Sequence, residues 1–198
     1  LFFKMVKVQL LALGYALLHQ GALCDIVHRI RSASDFIEFS NNVSSGKRYS
    51  GTTVFLDADI DFSDGLSEQF EPIGKDSWDN FQGTFDGQGY AISGLVVKSS
   101  SDDIGLFEYS RGATIRNVVL DSSCTVMSSY IGSNNVFIGG AVGYCYVCTI
   151  ESTVSMGKTD FTLSSNDKDL NLGGIIGFLY ASRTLRNCAN YGSVTHSG

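Results

Sequence analysis

The sequence predicts an all-β chain built as a right-handed parallel β-solenoid, with a short N-terminal capping helix and an open C-terminal end. Three observations predict it. A Gly-apolar-apolar motif recurs at a period near 35 residues, the recurring units lack helical periodicity, and short apolar runs alternate with Gly, Ser, Asn and Asp along the chain. The composition agrees, with 22 Gly, one Pro, 13 Phe and 9 Tyr in 198 residues, as expected for many short strands and turns.

Residues 1–24 stand apart from this pattern. Lys4 and Lys7 precede a nine-residue uncharged run, Leu10 to Leu18, followed by Gly21-Ala22-Leu23-Cys24. This is the layout of a cleavable export signal, with a start at Met5 and cleavage after Ala22 or Cys24. The run is far shorter than the roughly 20 apolar residues that span a bilayer, so no membrane span is expected in this piece. Leu23 replaces the small residue that a lipidated Cys24 would need before it. A secreted or cell-surface location follows as the expectation. Loss of these residues moves the formal charge from −6 to −8, which disfavours a nucleic-acid partner because phosphate binding needs a basic stripe.

Residues 25–52 read as a cap segment. Ser32 lies three before Asp35, and Phe36, Ile37 and Phe39 follow, the signature of a capped amphipathic helix. Such a helix would cover the open core and unpaired edge of the first coil. Asn42-Val43-Ser44 is the one acceptor sequence for N-glycosylation.

The solenoid is expected over 53–198. Thr53 to Phe62 alternates as one strand, with Leu56, Ala58, Ile60 and Phe62 on one face and Asp57, Asp59 and Asp61 on the other. The three carboxylates are a candidate for Ca²⁺, which needs six to eight oxygens and therefore ligands from other loops.

The repeat becomes explicit when Gly105-Leu106-Phe107-Glu108-Tyr109 is set beside Gly140-Ala141-Val142-Gly143-Tyr144 and Gly174-Ile175-Ile176-Gly177-Phe178, at spacings of 35 and 34. Thr114-Ile115-Arg116-Asn117, Thr149-Ile150-Glu151-Ser152 and Thr184-Leu185-Arg186-Asn187 continue the match. Units are thus expected near 105–139, 140–173 and an incomplete 174–198. Stacking would align Ile115, Ile150 and Leu185 as an inward aliphatic ladder and Tyr109, Tyr144 and Phe178 as an aromatic one. Arg116, Glu151 and Arg186 would form an exposed row of alternating sign, with Asn117, Ser152 and Asn187 at a turn. Gly105, Gly140 and Gly174, with Gly143 and Gly177, serve close backbone approach; no following Lys or strand–turn–helix unit supports a phosphate loop.

Phe70-Glu71-Pro72-Ile73-Gly74, Phe81-Gln82-Gly83-Thr84-Phe85-Asp86-Gly87-Gln88-Gly89-Tyr90-Ala91-Ile92-Ser93-Gly94-Leu95 and the Gly105-Leu106-Phe107 series resemble the GLUG-repeat proteins over about residues 53 to 198. The resemblance implies a parallel β-helix outside the cell, often adhesin-like and in some cases beside the peptidase domain of an immunoglobulin A protease. It implies no shared catalytic residues. The chain departs from the pattern at Tyr146-Val147-Cys148 and Ala181-Ser182-Arg183, and in the long loops expected at Asp121 to Val136 and Ser155 to Leu172.

Two functions follow as alternatives: a non-catalytic extracellular scaffold binding a glycan or protein, and a carbohydrate-active β-helix enzyme. The enzyme needs two carboxylates in one groove, and its candidates are Asp86, Asp102 and Asp103. Asp86 sits in an Asp-Gly turn, and Asp102-Asp103 shows no acidic counterpart or nearby His in sequence. His28 and His196 lie too far apart in sequence to suggest a Ser-His-Asp set. Without Cys24, Cys124, Cys145, Cys148 and Cys188 remain as disulfide candidates whose pairing the sequence leaves open. Cys145-x-x-Cys148 lacks the second pair or His of a zinc site and the context of a redox fold. No cofactor is expected apart from the Ca²⁺ option. The chain stops where another unit is due, so a longer protein is expected.

Overall fold

A computed structural model describes residues 26–128, 130, 134–162, 169–181 and 184–197. The segment expected to be an export signal, Cys24 included, and Ser182 and Arg183 lie outside these residues. All strand pairing among the described residues is parallel, and the strands of the middle coils visit five faces in turn. Face I holds β1 (Ile26–Ile30), β2 (Thr52–Leu56), β4 (Thr84–Asp86), β9 (Thr114–Arg116), β14 (Thr149–Glu151) and β19 (Thr184–Arg186). Face II holds β3 (Ile60–Asp61), β5 (Ala91–Ser93), β10 (Val119–Leu120), β15 (Val154–Ser155) and β20 (Ala189–Asn190). Face III stacks β6 (Val96–Ser99), β11 (Thr125–Ser128), β16 (Lys158–Thr162) and β21 (Val194–Ser197). Face IV stacks β7 (Asp103–Ile104), β12 (Val136–Gly139) and β17 (Leu170–Gly173), and face V stacks β8 (Phe107–Arg111), β13 (Val142–Tyr146) and β18 (Ile176–Tyr180). The chain is therefore a parallel β-solenoid with a single short N-terminal helix among the described residues.

The repeat sets the register. Ile115 pairs with Phe85 below and Ile150 above, and Ile150 with Leu185. Val54, Phe85, Ile115 and Ile150 are fully buried in this column, while Leu185, on the last described rung, is 52% exposed. On the solvent side of face I, Asp86, Arg116, Glu151 and Arg186 stand one above another. Arg116 pairs with Asp86 at 2.9 Å and Arg186 with Glu151 at 2.9 Å, so opposite charges occupy adjacent rungs throughout.

The corners are made by residues in the left-handed backbone region. Gln88, Asn117, Ser152 and Asn187 turn the chain from face I to face II, and Gly112, Val147 and Ala181 turn it from face V to face I, all at positive φ. Short polar side chains or Gly suit such corners. Val147, at φ +58°, is the poorest fit because a β-branched side chain crowds the following carbonyl.

Helix α1 (Ala33–Ser44) closes the first coil. The Asp35 amide donates to the Ser32 hydroxyl at 3.1 Å, and the Arg31 amide to the Asp35 carboxylate at 2.9 Å, as the sequence predicts for this start. Phe36 and Phe39 are fully buried and meet Phe62, Phe70, Phe81, Phe85 and Tyr49 at ring separations of 5.0 to 6.0 Å. Strand β1, which the reading of this segment does not include, precedes the helix and pairs with β2. Its His28 packs edge-on to Tyr49, and neither His28 Nε2 nor the Tyr49 hydroxyl has a hydrogen-bond partner.

Two sequence expectations change. Thr53 to Phe62 is not one strand but two, β2 and β3, lying on different faces around a corner at 57–59. The in-out alternation survives the corner, with Val54, Leu56, Ile60 and Phe62 buried. Within the segments expected as long loops, Asp121 to Val136 and Ser155 to Leu172, the described residues include β11, β16 and most of β17 as wall, while residues 129, 131–133 and 163–168 lie outside the described residues. Their strands were masked by high Ser, Thr and Asp content, because each is short and wet on its outer side.

Candidate functional site

Faces IV and V meet at a concave corner, and glycine makes it. A Cβ on Gly139 would run into the Val142 carbonyl, one on Gly143 into the Ile104 amide and one on Gly177 into the Ile138 amide. Side chains there would force the faces apart. On the inner side, a Cβ on Gly140 would meet the Gly174 carbonyl and the Ser155 hydroxyl, and one on Gly174 the Asn190 side chain. Gly105 would likewise strike Gly143 and Val142. The repeated glycines thus let two strands fold back into an external crease.

The crease is lined by aromatic rings. On face IV, Val136 and Ile138 are fully buried, so Phe137 between them points outward. It meets Tyr144 at 5.5 Å and Phe178 at 4.5 Å across the corner. Tyr109, Tyr144 and Phe178 pair in register, stacking at 4.9 Å and 14° and then at 5.4 Å and 31°. The separation matches the strand spacing of about 4.8 Å, so the predicted aromatic ladder exists, on the outer wall. A second row follows on face V: Arg111 lies over Tyr146 at 5.3 Å, and Tyr146 stacks on Tyr180 at 5.5 Å. Tyr180 is 51% exposed.

Carboxyls gather at one end of the crease. Asp103 pairs in register with Phe137, and Glu108 adjoins Tyr109 on β8. Burial raises the Asp103 carboxyl to about 7, helped by the Asp102 charge. Burial raises Glu108 to about 8, with Asp103, Asp102 and Glu71 adding to the effect against a hydrogen bond from Ser101. Burial also raises the Tyr109 and Tyr144 hydroxyls, and Asp103 contributes to both. Beside this end opens a cleft of about 560 Å³ lined by Ser44, Glu71, Pro72, Lys75, Asp76, Ser99, Ser100, Ser101, Asp102 and Glu108.

The sequence-derived candidates divide sharply. Asp102 and Asp103 do have an acidic counterpart, Glu108, which correction the sequence signalled without its being read: Glu108 occupies the position of Gly143 and Gly177 in the other two units. Asp86 is absorbed by structure. Burial pushes its carboxyl up, but hydrogen bonds from Asn117, the Gln88 amide and Arg116, at 2.9 Å each, hold it below the usual value. Asp57, Asp59 and Asp61 do not converge. Asp57 pairs with Arg29 and Arg31, Asp59 accepts from the Ala91 amide, and Asp61 accepts from Ser63, which keeps its carboxyl low. Among the described residues no group of three or more His, Cys, Asp or Glu is arranged to hold a metal ion.

Cys145 and Cys148 form a disulfide, with Cα atoms 5.9 Å apart, across the Val147 corner. Cys124 and Cys188 are free, and burial raises the Cys124 thiol to about 11, which makes it unreactive. Asn42 lies within α1, partly buried. His196 is on β21, on face III, and His28 on β1, on face I. Among the described residues no helix is long and apolar enough to cross a membrane. Trp78, 74% exposed, is a feature that sequence reasoning missed.

No protein-family model, no curated protein and no solved structure matches the chain.

Proposed function

We propose that this chain is a non-catalytic extracellular interaction scaffold that binds a glycan or protein along the crease between faces IV and V. The observation that carries the reading is the outward aromatic wall of Tyr109, Phe137, Tyr144, Tyr146, Phe178 and Tyr180. The core is already filled by Val54, Phe85, Ile115, Ile150, Ile104 and Ile138, so these rings are not needed to exclude water from the interior. Tyr, Trp and Arg concentrated in a concave surface are the side chains that dominate recognition energetics. The export-like segment at 1–24 supports a secreted or surface setting, and the GLUG-like repeats support an adhesin-like role. The acidic balance of the chain argues against nucleic acid as partner.

A second reading, a carbohydrate-active enzyme, rests on Asp103 and Glu108, two carboxyls of raised proton affinity beside one cleft. The test is a combined binding and turnover screen against glycans, with and without Ca²⁺. Saturable binding without shortened products supports the scaffold. Release of shortened products that ceases in Glu108→Gln supports the enzyme.

A further inference from the structure

We infer that the cleft beside the crease, together with Trp78 on its bordering turn, is a subsite for a neutral polyhydroxylated ring, a pyranose unit of a glycan. This rests on the scaffold reading and assigns its ligand class.

The cleft walls come from four segments: the end of α1 at Ser44, the stretch from Glu71 to Asp76, the Ser99 to Asp102 bend, and Glu108 on β8. Pro72 is the one apolar residue among them. Four hydroxyls and four carboxyls crowd a space of about 560 Å³, which suits a ligand that offers many hydrogen bonds from a small ring. Several of the carboxyl oxygens are already engaged. Asp76 accepts from the Trp78 amide at 2.7 Å and the Asp79 amide at 2.9 Å. Asp102 accepts from Asn134 at 2.7 Å, and Glu108 is bonded to Ser101 and, being protonated near neutral pH, can itself donate. Lys75 offsets part of the remainder. The acidity that remains repels an anion, and a neutral polyhydroxylated ring can donate its hydroxyls to the carboxylate oxygens.

Trp78 offers an exposed apolar face on the same turn that carries Lys75 and Asp76 into the cleft wall. Two residues beyond Asp76, it projects from a turn closed by Lys75 N donating to the Asp79 carbonyl at 2.7 Å. Arg48 donates twice to the Trp78 carbonyl, at 3.1 and 2.9 Å, and Asn80 Nδ2 to the Ser77 carbonyl at 2.7 Å. A turn held this firmly while presenting an indole 74% exposed is preorganised for contact, since little further ordering is required on binding. The crease tyrosines use their ring faces on one another, whereas no ring stacks on Trp78 among the described residues. An exposed indole face packs against the C–H face of a sugar ring by the same apolar and dispersive contact that buries aromatics elsewhere.

Trp78 is also the sole tryptophan, so its emission reports the site without background. The full chain is titrated with neutral cello-, manno-, malto-, galacto- and N-acetylglucosamine oligosaccharides, beside oligogalacturonate and glucosamine oligomers as charged counterparts. At least one neutral series should shift the emission saturably, and calorimetry should show affinity falling by about ten-fold or more in Trp78→Ala, a change at an exposed site that leaves folding intact. The inference is overturned if no neutral oligosaccharide shifts the emission, if only the charged oligomers bind, or if Trp78→Ala binds within two-fold of the parent. Tyr144→Ser separates the two readings. Sugar binding lost there but untouched in Trp78→Ala overturns the Trp78 subsite and keeps the crease; the converse keeps the subsite and removes the crease.

Discussion

Glu108 is the residue whose replacement tests the local electrostatics most sharply. Its side chain stands at a position that is glycine in the next two coils, is 5% exposed, and has its carboxyl raised from 4.5 to about 8 by burial first and by Asp103, Asp102 and Glu71 after it. Below about 4.5 the carboxyl is protonated in both folded and unfolded chains, and the folded state carries no cost. Between about 4.5 and 8 the unfolded chain ionises it while the folded one retains the proton, so stability falls as pH rises; above about 8 the loss is complete. A span of this width corresponds to about 5 kcal/mol. Glu108→Gln keeps the shape of the protonated acid and abolishes the titration. Urea unfolding of parent and variant at pH 5, 7 and 9 should find them within about 1 kcal/mol at pH 5 and the variant ahead by about 5 kcal/mol at pH 9. Parallel stability curves would refute the argument, because they would mean that Glu108 ionises as freely in the fold as outside it.

Three further outcomes are expected. His28 is held below its ordinary 6.5 by burial and then by Lys47, against the raising influence of Glu38 and Asp35; the stability it allows above about 6.5 is lost as pH falls through that value, so His28→Phe should gain on the parent at pH 5 relative to pH 7.5 in thermal melts. Val147→Gly should raise stability by about 1 kcal/mol, read as a higher urea midpoint with an unchanged slope, because φ +58° costs a β-branched residue more than glycine's added freedom in the unfolded chain. Phe39→Ala should cost about 3–5 kcal/mol, measured by urea unfolding, since a fully buried ring contacting Tyr49, Phe81 and Phe85 leaves a cavity between cap and first coil.

Much of the fold was legible because a solenoid repeats its own evidence. The Gly-apolar-apolar units gave the period, and Thr-Ile-Arg-Asn with its two echoes gave face I, its charge ladder and the turn that follows it in correct register. The capped helix was equally plain from Ser32 and Asp35. Faces II and III were harder, because β10 and β15 are two residues long and no alternation can be read from so short a run. The corner at 57–59 was invisible for a related reason: a turn that keeps Ala58 in phase with Leu56 and Ile60 leaves the alternation unbroken. The candidate site was legible only in part. The tyrosine ladder followed from register, but whether a ladder lines the core or the outer wall depends on how sharply two faces fold back, which rests on backbone approach at Gly139, Gly143 and Gly177. Glu108 and Trp78 were written in the sequence as exceptions, one interrupting a glycine column and the other standing alone between repeats, and a search for regularity passes over exceptions.

The central claim, that the crease of faces IV and V is the ligand-contacting surface, is tested most directly by comparing two double variants on the glycan that the parent binds best. Tyr144→Ser with Tyr180→Ser alters the crease, while Arg116→Ser with Glu151→Ser alters an outward row of the same coils on face I. The account predicts that the crease variant loses binding by ten-fold or more, on the order expected for paired aromatic anchors, while the face I variant retains it. Binding that survives in the first and fails in the second would contradict the account and move the site to the charged face.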